Sequence, residues 1–440
     1  MMLPFFNKLD DHMQEVVRGA SVASALQIFA AALAFLFNVF LARLLGAAGA
    51  GLYFLALAVT SIAAVLGRAG LDNALVRFTA ANVAIGHWSA VKGLYKKALK
   101  LAMIASGAAT LAMFISAPWL ADILFSEPNL TNLIRWMSLA VMPFAIFTLH
   151  AHLLKGLKRI RDHILVLSIC LPAISLIGIA VLVPSHDLQG AAWAYIFASM
   201  VTLIIGLWFW RKRTPALRGI KGNFNTHELL RSSMPLFWMS VVQLVTLWSS
   251  TLMLGIWASS ADVGIFGVAD RTARLLSFFL MAVNSIAAPK FAALYKQNNI
   301  LALERTARNS AALVTAMAAP LSLLFLIMPD WVIGMFGLEF SSGGIVLSIL
   351  SVGQLINVVT GSVGFLLMMC GYESLMRNII AICAVISVIT NLLLIPTLGV
   401  VGAALATATT LSLQNILSAI FVWRRLGICT IPLFGRWIGK

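Results

Sequence analysis

Charge is scarce in this sequence. Of its 440 residues only 10% are Asp, Glu, Lys or Arg, against roughly a quarter in a soluble protein. That shortage excludes an ordinary water-exposed globule, and a hydrophobic share of 61% points the same way. Cysteine is scarce too. Cys170, Cys370, Cys383 and Cys429 lie in or beside apolar runs, with no CxxC and no nearby histidine partner. Neither a disulfide nor a metal site is expected from them. The opening MMLPFFNKLDDHMQEVVRGA lacks the short apolar core and small-residue cleavage site of a signal peptide, and reads as a polar cytoplasmic tail. Also missing are paired carboxylates at useful spacing, a Gly-rich phosphate loop and a Ser/His/Asp set. An enzyme is not expected, and no cofactor is implied.

What is present is apolar length. Long apolar runs recur along the chain, each able to cross a hydrocarbon core of roughly 30 Å as helix. Turn residues divide them into twelve candidate spans near 17–42, 51–76, 98–124, 131–154, 163–183, 189–210, 231–257, 263–288, 310–336, 345–370, 376–395 and 400–423. The fold class expected is an all-α polytopic membrane protein.

The formal net charge of +16 would point to nucleic acid in a soluble protein. Here it follows the connections between spans. Basic residues crowd one alternate set: Arg77, Lys92, Lys96, Lys97 and Lys100; Lys155, Lys158, Arg159 and Arg161; Arg211 to Arg231; Lys290 to Arg308; Arg377; and both termini, with Lys8, Arg18, Arg424, Arg425, Arg436 and Lys440. The other set holds Arg43 and Arg135 beside Glu127, Asp187, Asp262 and Glu339. The positive-inside rule places the basic set and both termini in the cytoplasm. No polyanion partner is needed to explain the charge.

The chain also repeats itself at a spacing of about 213 residues. GLYFLALA at Gly51 answers GIFGVADR at Gly264, VRFTA around Arg77 answers PKFAA around Lys290, and VPSHDLQGAAWA answers IPTLGVVGAALA. Six spans per half start each half on the same side, so the repeats are parallel, related by an axis along the membrane normal. The expected domains are residues 1–213 and 231–440, two six-helix lobes, joined by a cytoplasmic linker over 214–230 rich in charge, Pro and Gly.

Within the spans, VADRTARLL stands out. Arg271 lies about 13 Å along the eighth span, near mid-membrane. Asp270 and Arg274 are helical neighbours, and all three charges point one way. Charges at that depth face a bundle interior or a water-filled cavity. A packing pair of Asp270 with Arg274 would leave Arg271 without a partner, which favours a cavity role. Asp270, the one carboxylate placed deep in the second lobe, is the candidate for proton coupling. Milder stripes run along the first span (Ser24, Gln27, Asn38), the seventh (Gln243, Thr246, Ser250) and the tenth (Gln354, Asn357, Gly361). Each stripe alone reads as a helix–helix seam, and the first and seventh, being repeat equivalents, are also candidates to line the lobe interface. Arg68 lies close enough to the cytoplasmic surface to snorkel to it, and reads as structural. His150 and His152 face different sides of one helix beside Lys155, at the same interface.

Three stretches resemble the polysaccharide-biosynthesis, O-antigen-type oligosaccharide flippases of the multidrug/oligosaccharidyl-lipid/polysaccharide (MOP) exporter superfamily. They are GLYFLALAVTSIAAVLGRAGLDNALVRF, GIFGVADRTARLLSFFLMAVNSIAAPKFAALY and LIPTLGVVGAALATA. The resemblance covers the whole chain in span number and implies two six-helix lobes forming a V that opens alternately to either side. It implies a lipid-diphosphate-linked oligosaccharide as cargo, a bacterial inner (plasma) membrane, and polymerase or glycosyltransferase partners. It matches the family's cavity arginine to Arg271. The lipid-II flippases of the superfamily carry two further helices that this chain lacks. The embedded charges, two Arg against one Asp, favour an anionic cargo, since guanidinium groups offer paired donors to phosphate. Arg271, Arg274, Gln27, Asn38, Gln243 and Thr246 are the candidate substrate contacts. The rival expectations are a cation-coupled drug or small-molecule antiporter of the same superfamily and a non-transporting scaffold for assembly enzymes.

Overall fold

The computed structural model describes residues 11–430, with side chains from position 22 onward except at 285 and 286. Lys8, Arg436 and Lys440 therefore lie outside the described residues, as does the side chain of Arg18. The described residues are mainly helical, without a strand. The first half contains α1 (Asp11–Arg68), α2 (Leu71–Ala84), α3 (Trp88–Pro118, continued by π-helical Trp119–Leu124), α4 (Asn129–Ser138), α5 (Val141–Gly156), α6 (Ile160–Ile164) and α7 (Cys170–Arg213). The second contains α8 (Thr226–Trp257), α9 (Ser260–Ala273), α10 (Leu275–Lys296), α11 (Ile300–Ile327), α12 (Pro329–Gly334), α13 (Gly344–Thr360), α14 (Val363–Met369) and α15 (Glu373–Leu426).

Three of these helices far exceed the ~20 residues a bilayer needs. Each breaks at one residue: α1 at Gly46 (φ 67°), α7 at Asp187 (φ 45°) and α15 at Gly399 (φ 55°). Residues on opposite sides of each break then meet. The Phe37 and Tyr53 rings lie 6.4 Å apart, although straight helix would separate them by about 24 Å. A Cβ on Gly190 would sit 2.4 Å from the Leu182 carbonyl, and one on Gly402 2.1 Å from that of Leu394. Each long helix is thus a hairpin of two antiparallel arms. Among the described residues seven helices are long and apolar enough to cross a membrane, and two bent pairs, Asn129–Ser138 with Val141–Gly156 and Ser260–Asn284 with Ala287–Lys296, raise this to nine if each is one span.

The first turns of several helices are polar, which hydropathy does not register. α8 begins at Thr226, inside the stretch read as linker, with Asn225 accepting from the His227 N–H at 3.0 Å as its cap. The connection before it is laced to α3. Lys92 Nζ donates to the Leu217 carbonyl at 2.8 Å, Lys97 Nζ to that of Phe224 at 2.5 Å, and the Asn223 N–H to that of Ser89 at 3.1 Å.

Away from the basic loops, the two halves meet where α1 crosses α9. A Cβ on Gly51 would fall 1.7 Å from the Ser260 carbonyl oxygen, and one on Gly264 2.0 Å from that of Ala47. Ala47 and Gly51 on one side and Ser260 and Gly264 on the other are small residues four apart, the spacing that lets helix backbones touch in a membrane. The contact is reciprocal, because Gly51 is the repeat equivalent of Gly264 and Ala47 that of Ser260. A carboxylate locks it: Glu339 Oε2 accepts from the Ala47 N–H at 2.7 Å, and Arg43 Nε donates to the Met335 carbonyl at 2.7 Å. Nearer the basic end the halves touch on two flanks. Ser24 Oγ donates to the Ala282 carbonyl at 3.1 Å on one, and Arg77 Nη2 to Ser232 Oγ at 2.8 Å on the other.

Candidate functional site

The α1–α9 crossing carries the residues of VADRTARLL into the seam between the halves. α9 starts from a capping box in which Ser259 Oγ accepts from the Asp262 N–H at 3.2 Å and the Asp262 carboxylate accepts from the Ser259 N–H at 3.1 Å. Eleven residues on, about 16 Å along the axis, stands Arg271. Its guanidinium carbon lies 3.7 Å from the centroid of the Phe54 ring, on the second arm of α1, and 6.0 Å from that of Trp248 on α8. Nη1 donates to the Gly267 carbonyl one turn back at 3.0 Å. Glycine at 267 is what allows Phe54 to approach, since a Cβ there would sit 2.3 Å from Phe54 Cδ2.

Asp270 and Arg274 form a separate unit on the same helix. Arg274 Nε donates to Asp270 Oδ2 at 2.8 Å, with Asp270 buried and Arg274 half-buried. The expectation that the three charges share one direction divides here. The pair balances itself, while Arg271 turns onto the aromatic faces and belongs to none of the four ion pairs among the described residues.

The other candidates do not converge with it through any contact seen here. Asn38 Nδ2 donates to the Ala34 carbonyl of its own helix at 2.6 Å, and Thr246 Oγ1 to that of Val242 at 3.3 Å. Gln27 is half-buried on the first arm of α1, three residues beyond Ser24 and its contact with α10. Gln243 opens into a groove of about 300 Å³ between α8 and α15, beside Trp238 and Arg377. The remaining stripe residues are packing seams. Ser250 Oγ meets Thr407 Oγ1 at 2.8 Å, and Ser277 Oγ donates to Gln354 Oε1 at 2.6 Å with Asn357 at its side.

Two readings need correction. Arg68 does not snorkel: it is buried, its Nε donates to Asp72 Oδ2 at 2.9 Å, and its guanidinium sits 5.7 Å from the Phe144 ring. The break at Ala69 and Gly70 turns α2 so that Asp72 comes back to meet it. His150 is likewise buried, with Nε2 3.2 Å from the Tyr95 hydroxyl and Nδ1 2.9 Å from the Ile146 carbonyl.

The family model described as polysaccharide biosynthesis protein matches residues 16–294, a stretch that contains the α1–α9 crossing and Arg271. The chain belongs to that family. A probable low-salt glycan biosynthesis flippase of Haloferax volcanii is 26% identical over 416 residues, 92% of this chain and 84% of that one. A probable flippase of the same archaeon is 26% identical over 174 residues, 39% of this chain and 37% of its own length. Among solved structures, the lipid II flippase MurJ in its inward closed conformation superposes with a TM-score of 0.75 at 12% identity, over 91% of this chain and 87% of that one. An inward-facing multidrug resistance MATE transporter of the MOP superfamily gives 0.70 at 14% identity, over 92% and 98%. At these identities the structures establish the fold. Family and fold together make this a multi-pass membrane protein of the polysaccharide biosynthesis family, with the fold seen in MurJ and the MATE transporters.

Two site residues escaped the sequence reading. Phe54 is the repeat equivalent of Gly267, the residue it packs against, so the repeat itself carried the signal: a large side chain in one half faces its missing counterpart in the other. Trp248 left no comparable trace. It is one of 12 tryptophans, and nothing in its neighbourhood distinguishes it.

Proposed function

We propose that this protein moves a lipid-diphosphate-linked oligosaccharide from the cytoplasmic to the outer leaflet by alternating access, with Arg271 receiving the diphosphate. The observation that carries this reading is the position of Arg271: mid-span, at the seam between halves, on Phe54, with no carboxylate within ion-pair distance among the described residues. A cation–π contact contributes about 0.5–2 kcal/mol, whereas a hydrogen bond to a charged group contributes about 1.5–3 kcal/mol. A phosphate oxygen therefore competes successfully for the guanidinium. Drawing Arg271 off Phe54 loosens a contact that holds the halves together, which couples headgroup binding to lobe movement. Arg274 supplies the second cation, and Gln27, Asn38, Gln243 and Thr246 offer polar contacts along the sugar's path. The basic loops and both termini face the cytoplasm of a cell whose plasma membrane holds the protein, with polymerase or glycosyltransferases as neighbours. The curated relatives described above are archaeal, so this reading is not tied to a bacterial envelope.

The antiporter reading finds less support, because the deep carboxylates Asp72 and Asp270 are both engaged by arginines. The decisive experiment measures surface polysaccharide and accumulated precursor in cells expressing Arg271→Ala, Arg271→Gln and Arg271→Lys at matched protein levels. Loss of one charge-assisted contact corresponds to roughly ten- to a hundredfold in affinity. Alanine and glutamine should abolish delivery of the glycan, and lysine, which keeps charge without the planar fork, should restore part of it. Normal polysaccharide in Arg271→Ala cells would leave the residue a packing group and remove the mechanism. Extrusion of cationic dyes by the wild type would favour the antiporter instead.

A further inference from the structure

A second cationic feature lies well away from the seam. At the basic end, α3, α7 and the linker enclose a cavity of about 360 Å³ whose lining includes Lys92, Lys96, Arg211 and Arg218, with no acidic residue. Its apolar part is a stacked pair, Tyr95 on Trp210, with ring centroids 5.0 Å apart. None of the four cations belongs to an ion pair among the described residues. Lys92 spends one donor on the Leu217 carbonyl and keeps two. Like charges gathered around a cavity repel one another, and an anion inside relieves all four at once.

The surroundings say which anion. Lys96 and Arg211 are exposed, and each ends a stripe of exposed apolar side chains running into the membrane-spanning part of its helix. On α3 the stripe includes Ile104, 62% exposed, and on α7 Ile204, 65% exposed, and Trp208, 53% exposed. Lys212 Nζ lies 4.6 Å from the Trp208 ring, the aromatic–cation pairing of a membrane interface. The cup is thus open where lipid acyl chains meet headgroups. We infer that it is a binding site for the headgroup of an anionic phospholipid in the leaflet at the basic end, with the acyl chains along the α3 and α7 stripes. The headgroup closes the ring of cations around residues 214–218 and so fastens the linker between the halves to the first of them. The site is independent of the cargo and of Arg271.

Purified protein is incubated with phosphatidylcholine alone, with added phosphatidylglycerol, or with phosphatidylcholine and soluble pyrophosphate, and bound lipid and melting temperature are read by native mass spectrometry and thermal unfolding. Phosphatidylglycerol should be retained about tenfold or more tightly than phosphatidylcholine and should raise the melting temperature. The double change Arg211→Gln with Arg218→Gln should remove most of that preference. Arg424→Gln with Arg425→Gln, an equal loss of charge at the same end, should leave it intact. Lys96→Gln gives the same reading if the double variant melts early without lipid. Equal losses in both double variants would reduce the effect to general surface attraction and overturn the site. So would full competition by pyrophosphate, which would make it a pocket for soluble phosphate, or equal retention of phosphatidylcholine.

Discussion

Arg271 is held by what its neighbours lack. Gly267 has no side chain, so Phe54 lies against the α9 backbone and presents its face to the guanidinium. Gly267→Ala would force the ring or the helix to move, at a cost of roughly 1–3 kcal/mol for overpacking. The variant should melt earlier, and Phe54→Ala in the same chain should recover part of the loss, because the smaller residue vacates the clash. Independent, additive effects in that cycle would mean the two positions do not meet. Asp270 poses a different question, since its carboxylate already has Arg274. If the pair only balances charge, Asp270→Asn alone should lose stability and Asp270→Asn with Arg274→Gln should recover it, transport by the double variant falling only as far as loss of the second cation requires. If Asp270 carries a proton, the single variant should lose dependence on an imposed pH gradient whatever stands at 274. Full gradient-driven transport by Asp270→Asn would end the coupling role.

At the scale of the helix, the α1–α9 crossing depends on four small residues that bring two backbones into contact. Leucine at position 51 cannot be accommodated without separating them, because even its Cβ would stand 1.7 Å from the Ser260 carbonyl. Gly51→Leu should therefore weaken closure at the end opposite the basic loops. Cysteines in place of Arg43 and Met335, whose side chain and carbonyl now meet at 2.7 Å, report it in a chain freed of its native cysteines. A short bismaleimide should link them in the parent and much less in the Gly51→Leu background. Undiminished crosslinking would show that the Glu339 contact holds the halves shut without the crossing.

Across the whole molecule, the alternation of basic and acidic connections predicts which surfaces each compartment sees. Lys158, Lys221 and Lys296 at one end and Ser126, Asp187 and Glu339 at the other are all exposed, so a cysteine at any of them is open to reagent from its own side. In intact cells a membrane-impermeant thiol reagent should label the second group and spare the first. Labelling at Lys221 from outside would reverse the orientation and, with it, the direction of transport.

Depth and repetition were written in the chain. Apolar length marked where the long helices run, and the offset between the halves paired Gly51 with Gly264 before any contact was known. Arg271 was conspicuous because a charge at mid-span is costly anywhere in the sequence. Hydropathy, however, reports how deep a residue lies and not which neighbour it faces. Arg68 looked like a surface arginine until the break at Gly70 brought Asp72 back to it. Asn38, Gln243 and Thr246 looked alike as polar stripe members, and only packing assigned two of them to their own helix and the third to a groove. Phe54 on Arg271 and Glu339 on Ala47 join residues more than two hundred positions apart. Those contacts are fixed by how one half docks on the other, a geometry that local periodicity does not encode.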